Sequence, residues 1–192
     1  APENPFPAAV DDAWDATAWC VREAARLGGD ARRVVVAGDS AGGTLAAVVA
    51  LMARDAGGPA IALQVLVYPV VDLTRETGSH ARNAQGFMLT TAALRWFYDC
   101  YVPDRAQRAD WRASPLLHPA LAGVAPALVI SAEHDPLVDE DTAYAERLRA
   151  EGVAVEHACF PGMLHPFFTL GGVIDDAARA EDLVAAAVAR LG

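Results

Sequence analysis

Basic residues are scarce in this chain: 15 Lys and Arg stand against 25 Asp and Glu, for a net charge of -10. A surface of that sign repels phosphate backbones, so nucleic acid is excluded as an expected partner and the acidity is read as a solubility feature. No unbroken apolar run is long enough to span a bilayer, which excludes a membrane-spanning helix. The opening residues Ala1-Pro2-Glu3-Asn4-Pro5-Phe6-Pro7 carry no methionine start, basic region or signal-type apolar segment. Cysteine is limited to Cys20, Cys100 and Cys159, with neither a metal-type spacing nor a C-x-x-C pair. These three are expected to be buried small apolar residues of a reducing, cytoplasmic compartment. Aromatics make up only 7% of a chain that is 54% hydrophobic. Ala, Val and Leu therefore supply the core, a mix that suits helices packed on a buried sheet.

The pattern along the chain alternates between the two periods. Apolar residues at helical spacing (Val10, Trp14, Ala18, Val21, Ala25) predict a helix over residues 8 to 27, stopped by Gly28-Gly29. Val34 to Ala37 is a short apolar run of the kind a strand buried on both faces needs. Small and aliphatic residues from Thr44 to Ala56 predict a second helix, and Ile61 to Val67 a second strand. The stretch from Asp72 to Ala113 is of mixed polarity, with one amphipathic helix over Thr91 to Tyr101 and no strand, so it reads as a cap insertion above the sheet. Then follow a strand at Ala127 to Ser131, a helix at Asp139 to Ala150, an alternating edge strand at Val153 to Phe160 and a last helix at Asp175 to Leu191. This rhythm predicts an α/β fold with a mostly parallel sheet covered by helices on both faces, all 192 residues belonging to one domain.

Gly38-Asp39-Ser40-Ala41-Gly42 matches G-x-S-x-G, and its setting gives the match weight: four apolar β-formers precede it and a helix follows. A serine at the tip of so sharp a strand-turn-helix is strained, and glycines two residues to either side remove Cβ atoms from the close approach. Ser40 is the candidate nucleophile. The free N–H of Ala41 at the helix start is the candidate oxyanion donor.

A serine nucleophile needs a base, ordinarily an imidazole held in one tautomer by a carboxylate. Five histidines compete. The chain order nucleophile, acid, base discards His80 and His118. Asp135 lies just beyond the strand Ala127 to Ser131 and is the best acid, with Glu133 and Asp139 as flanking alternatives. Of the later histidines, His157 falls inside an alternating strand, whereas His165 lies in the loop Pro161 to Pro166 and can approach the serine. His165 is the preferred base. His134 reads as a loop residue.

With these positions assigned, the chain resembles the hormone-sensitive-lipase-like family of α/β-hydrolases. The resemblance rests on Ala1-Pro2-Glu3, Pro5-Phe6-Pro7-Ala8-Ala9, Gly38-Asp39-Ser40-Ala41-Gly42-Gly43, Tyr68-Pro69, Ser114-Pro115-Leu116, Asp135-Pro136-Leu137-Val138-Asp139 and His165-Pro166-Phe167, in the last of which proline replaces the family's glycine. It implies a carboxylesterase acting on short acyl chains, with an ester bound beneath a cap and no metal or organic cofactor. It also implies homodimers formed at the strand Val153 to Phe160. Asp39, Trp96 and Phe97 are the candidate substrate contacts. The family's His-Gly-Gly-Gly loop, the source of most of its oxyanion donors, and its first strands have no counterpart here, and Val34 to Ala37 is left with an unpaired edge. A longer gene product, or a bound N-terminal piece, is the expectation. Loss of one oxyanion donor costs on the order of a hundredfold to a thousandfold in turnover. The 192-residue polypeptide alone is accordingly expected to be weak or inactive, as an ester-hydrolysis assay paired with intact mass would show; full activity in a soluble monomer of this mass is the contrary result.

Overall fold

In the computed structural model, which describes residues 1–192, the four apolar runs form a single sheet. Its strands are β1 (Val34–Asp39), β2 (Ile61–Val67), β3 (Ala127–His134) and β4 (Val155–Leu164), all parallel and in the order β1-β2-β3-β4. The helices are α1 (Ala8–Arg22), α2 (Ala41–Asp55), α3 (Gly78–Arg82), α4 (Thr91–Tyr101), α5 (Val138–Ala150) and α6 (Asp175–Ala189). Strands paired through long crossovers need helices on both faces, and the side-chain alternation shows them. Ala127 and Val129 of β3 pack with Ala47, Leu51, Tyr144 and Leu148 of α2 and α5. Leu128 and Ile130 point the other way, to Phe160, Phe167, Ala180 and Ala187 beneath α6. Each Val, Leu, Ile or Phe side chain among these taken out of water contributes roughly 1.5–3 kcal/mol before ordering entropy is counted.

The register positions the site. Gly38 is paired with Leu66, Val67 with Ile130 and Ala132 with Phe160, so the residues after β1, β3 and β4 all emerge at one end of the sheet. β1 and β4 are its two outer strands.

Several boundaries differ from the sequence reading. α1 ends at Arg22, not near residue 27; the next turn closes irregularly, with the Gly29 N–H donating to the Ala24 carbonyl at 2.8 Å and Gly28 at φ +77°. β3 and β4 both run further than their apolar runs, and Leu164 pairs with His134 beyond a register shift between Ala132 and His134. The segment Pro161 to Leu164 is therefore strand, not loop. An outer strand tolerates a proline, because the missing N–H need not enter a ladder. The expectation for the cysteines is also overturned: Cys20 and Cys159 are exposed, on an outward face of α1 and on the outer strand, and Cys100 is half-buried.

Residues 72 to 113 contain no strand. Leu73, Leu89, Leu94, Tyr98, Val102 and Ala113 gather there against Phe6, Val10, Val48 and Leu137. No helix is long and apolar enough to cross a membrane.

The first turn of α5 carries Asp139, Glu140 and Asp141, a favourable sign for a helix N-terminus. Two of the three are fully buried. Glu140 Oε1 accepts the Val71 N–H at 2.8 Å, and neither Asp141 oxygen has a partner within the protein. Burial pushes both carboxyls up, that of Glu140 to about 8. The folded state thus holds a proton on Glu140 that the unfolded chain, with its ordinary carboxyl, has already released. Stability from this group is complete in acid and is lost as pH rises from about 4.5 to about 8. Glu140→Gln is expected to flatten this loss, which approaches about 1.4 kcal/mol per pH unit at its steepest; urea midpoints at pH 5 to 8 measure it, and an unchanged pH slope contradicts it.

Candidate active site

At the end of β1 the chain reverses into α2 within one residue. Ser40 sits at that point with φ 51° and ψ -119°, one of only two non-glycine residues with positive φ, the other being Tyr68 at φ 36°. A conformation this sparsely populated persists only where the surroundings enforce it. Here the Ser40 N–H donates to the Val67 carbonyl at 2.8 Å, and the Thr44 N–H donates back to the Ser40 carbonyl at 3.1 Å. The first helical bond of α2 therefore ends on Ser40 itself, and the N–H of Ala41 belongs to the turn that has no acceptor within the helix.

The glycines have unequal parts. A Cβ on Gly38 would stand 2.3 Å from the carbonyl carbon and oxygen of Gly42, and one on Gly43 would stand 3.0 Å from Pro69 Cβ. A Cβ on Gly42 would meet nothing within 4 Å. The sequence reading that gave Gly38 and Gly42 equal steric roles is corrected: the two intolerant positions are Gly38 and Gly43.

The residues that follow β3 and β4 arrive at the same end of the sheet. His165 Nε2 lies 3.1 Å from Ser40 Oγ, and His165 Nδ1 lies 2.6 Å from Asp135 Oδ2. Asp135 is fully buried, and its other oxygen accepts the Leu137 N–H at 2.9 Å. The Tyr68 ring packs on the imidazole with centroids 4.3 Å apart. Burial, then the charges of Asp39 and Asp135, push the Tyr68 phenol up, so it stays neutral beside the site.

The other candidates are engaged elsewhere. Glu133 accepts the Gly162 N–H at 2.7 Å, and Asp139 accepts from Arg82 and from the Ser79 N–H. His157 lies 2.9 Å from Ser131 Oγ, with burial and then Arg149 lowering its pKa. His118 is 3.0 Å from Asp55, and the ring of His134 stacks on Phe87.

A cavity of about 750 Å³ opens over Ser40 and His165. Trp96 and Phe97 are among its lining residues, with Val70, Leu89, Leu94 and Tyr101 that sequence reasoning did not single out. No charged side chain lines it. Asp39 does not line it either; this residue ends β1 with its side chain exposed. The apolar spacing of α4 was the available signal for Leu94, whereas nothing local marks Val70 or Leu89 as wall residues.

A parallel sheet carrying a strained serine at a strand-helix turn, with a histidine and an aspartate arriving from later strand ends, defines the α/β-hydrolase class. Residues 1–169 match the family described as alpha/beta hydrolase fold. The chain belongs to that family, as its resemblance to the hormone-sensitive-lipase-like members implied. It is 44% identical to the ethyl acetate hydrolase of Pseudomonas putida over 180 residues, covering 92% of this chain and 56% of that protein. It is also 44% identical to the carboxylic ester hydrolase LipN of Mycobacterium tuberculosis over 200 residues, covering 100% of this chain and 53% of that one. Among solved structures it superimposes on a Pyrobaculum calidifontis esterase with a TM-score of 0.96 at 39% identity, covering 100% of this chain and 63% of the other. The chain thus spans little more than half the length of these curated relatives.

Gly38→Ala is expected to destabilise the fold by about 3 kcal/mol or more, since backbone stands where the methyl would go. Gly42→Ala should fall within about 1 kcal/mol of the parent, helped by helix propensity. Urea midpoints of the two variants, compared side by side, check both; equal losses would contradict the close approach at Gly38.

Proposed function

We propose that the protein carrying this chain is a serine carboxylic ester hydrolase acting on short-chain acyl esters. Ser40 is the nucleophile, His165 the general base and acid, and Asp135 the carboxylate that orients the imidazole. The observation that carries this reading is the unbroken line from Asp135 Oδ2 to His165 Nδ1 at 2.6 Å and from His165 Nε2 to Ser40 Oγ at 3.1 Å. A buried carboxylate accepts a hydrogen bond from Nδ1–H and keeps that proton on Nδ1, which leaves the Nε2 lone pair to accept the serine proton. As Ser40 Oγ attacks the ester carbonyl, the proton moves to Nε2 and then to the departing alkoxide. Water next attacks the acyl-enzyme by the same route in reverse, releasing the acid.

The negative oxygen of each tetrahedral intermediate is met by the Ala41 N–H, backed by the N-terminus of α2. Residues 72 to 113 act as a cap over the acyl group. A charged group would lose its hydration in a cavity without charged partners, so neutral esters are the substrate class. The relatives from Pseudomonas putida and Mycobacterium tuberculosis, an ethyl acetate hydrolase and a carboxylic ester hydrolase, support the same reading.

A fluorophosphonate probe is expected to add once, at Ser40, in the native polypeptide, as intact mass and peptide mapping would report. Ser40→Ala should lower turnover by on the order of 10⁴-fold or more with the fold retained; turnover that survives this change refutes the assignment. A neutral butyrate ester is expected to be hydrolysed and the matching hemisuccinate, with its free carboxylate, to be refused; equal rates would contradict the neutral-ester class.

A further inference from the structure

The loop that carries Asp135 is held from outside by a short segment that the reaction itself does not use. Five ties from residues 79 to 83 end on residues 133 to 139. The Ser79 hydroxyl donates to the Pro136 carbonyl at 2.5 Å, and the Ser79 N–H to Asp139 Oδ2 at 2.7 Å. Asn83 Nδ2 donates to the Asp135 carbonyl at 2.9 Å and to the Glu133 carbonyl at 3.3 Å. The Arg82 guanidinium pairs with Asp139 at 2.6 Å. Behind them, the Thr91 hydroxyl donates to the His80 carbonyl at 2.5 Å and ties α3 to α4.

His80 lies between these ties and is 2% exposed. Its Nδ1 is 3.2 Å from the Thr77 backbone N–H, which can only donate. Nδ1 is therefore unprotonated, and the ring proton sits on Nε2. Burial lowers the pKa of this imidazole and keeps it neutral. Nε2 has no hydrogen-bond partner within the protein, and neither has Glu140 Oε2, which lies 4.0 Å away. That gap is too long for a direct hydrogen bond, but one water about 2.8 Å from each atom spans it. With Glu140 protonated, two donors face each other there, and the water oxygen accepts from both. The Tyr98 hydroxyl is likewise buried without a partner.

We propose that His80 Nε2 and Glu140 Oε2 bind one buried water, and that this bridge, together with Ser79 and Asn83, positions Asp135 for its hydrogen bond to His165. The proposal rests on the assignment of Ser40, His165 and Asp135 given above. Glu140 Oε1 already fastens the start of α5 to Val71, so the bridge joins three elements behind Asp135: α3, α5 and the segment after β2. Asn83 then sets the plane of the Asp135 peptide, while the Leu137 N–H holds one carboxylate oxygen and leaves the other for His165. These are positioning residues; none of them lines the cavity over Ser40.

The test uses Asn83→Ala, His80→Phe and His80→Gln in the native polypeptide. Two readouts are followed: steady-state kinetics on a neutral butyrate ester, and the low-field proton resonance of His165 Nδ1, assigned by its loss in His165→Ala. Asn83→Ala and His80→Phe are expected to lower kcat by about tenfold to a hundredfold, with KM within about twofold, and to shift the resonance upfield. His80→Gln, which keeps a donor near the Nε2 position, should stay within about threefold of the parent. An unchanged kcat and resonance in both disruptive variants overturns the positioning role, and so does a rise in KM alone. A crystal structure of the unmodified protein at better than about 2 Å tests the bridge with no variant that must fold. One water between the two atoms is expected, and direct contact or an empty gap overturns the bridge. Turnover surviving in Ser40→Ala would sink the underlying assignment instead, while the resonance and the crystal structure would still report on the Asp135 loop.

Discussion

The close approach of β1 to the first turn of α2 is the constraint on which the rest of the site depends. With hydrogen alone at Gly38, the backbone of Gly42 comes to where a methyl would stand at 2.3 Å. Only that proximity lets the chain reverse within one residue and hold Ser40 at a positive φ. The same reversal brings the N-terminus of α2 under the serine and packs Gly43 on Pro69 after β2. Strain at one residue is thereby balanced by packing spread over two strands and a helix, the usual relation between a strained functional position and its surroundings.

A second constraint is electrostatic. Asp135 is fully out of water, as are Glu140 and Asp141 nearby. Burying so many carboxyls together is costly unless each is hydrogen-bonded or neutral. The structure divides the solutions. Asp135 is met by an imidazole and an amide N–H, whereas burial keeps Glu140 and Asp141 protonated in the folded state. A carboxyl that stays neutral can sit near Asp135 without competing for the imidazole. Residues 79 to 83 fasten the loop that carries Asp135, and none of them lines the apolar cavity over Ser40.

Much of the architecture was legible from local patterns. The apolar runs at residues 34 to 37, 61 to 67 and 127 to 131 mark three strands, and the spacing from Thr91 to Tyr101 marks α4 without error at either end. The misses have physical reasons. Pro161-Gly162 reads as a loop by turn chemistry, yet β4 continues to Leu164 because pairing with His134 across a register shift outweighs the local preference. Cys159 reads as a buried small residue, but it lies on an outer strand where its side chain meets solvent. Gly42 looks equivalent to Gly38 in the string, and only the three-dimensional path reveals which of the two has backbone against it.

By itself, the sequence determined the fold class, the serine turn and a short list of acids and bases, because periodicity, turn residues and chain order are local properties. It also favoured His165 over His157, on reading Pro161 to Pro166 as a loop, a segment that the structure shows as strand up to Leu164. Tertiary structure decided what distance decides: that Asp135 and His165 meet at 2.6 Å, that Glu133 and Asp139 are committed to other partners, and that Val70 and Leu89 wall the cavity. Asn83 and His80 belong to the same class, lying 52 and 60 residues from Asp135 and Glu140 along the chain. No window of sequence contains both ends of such a contact; only the packing of the 72 to 113 segment against the ends of β3 and α5 brings them together.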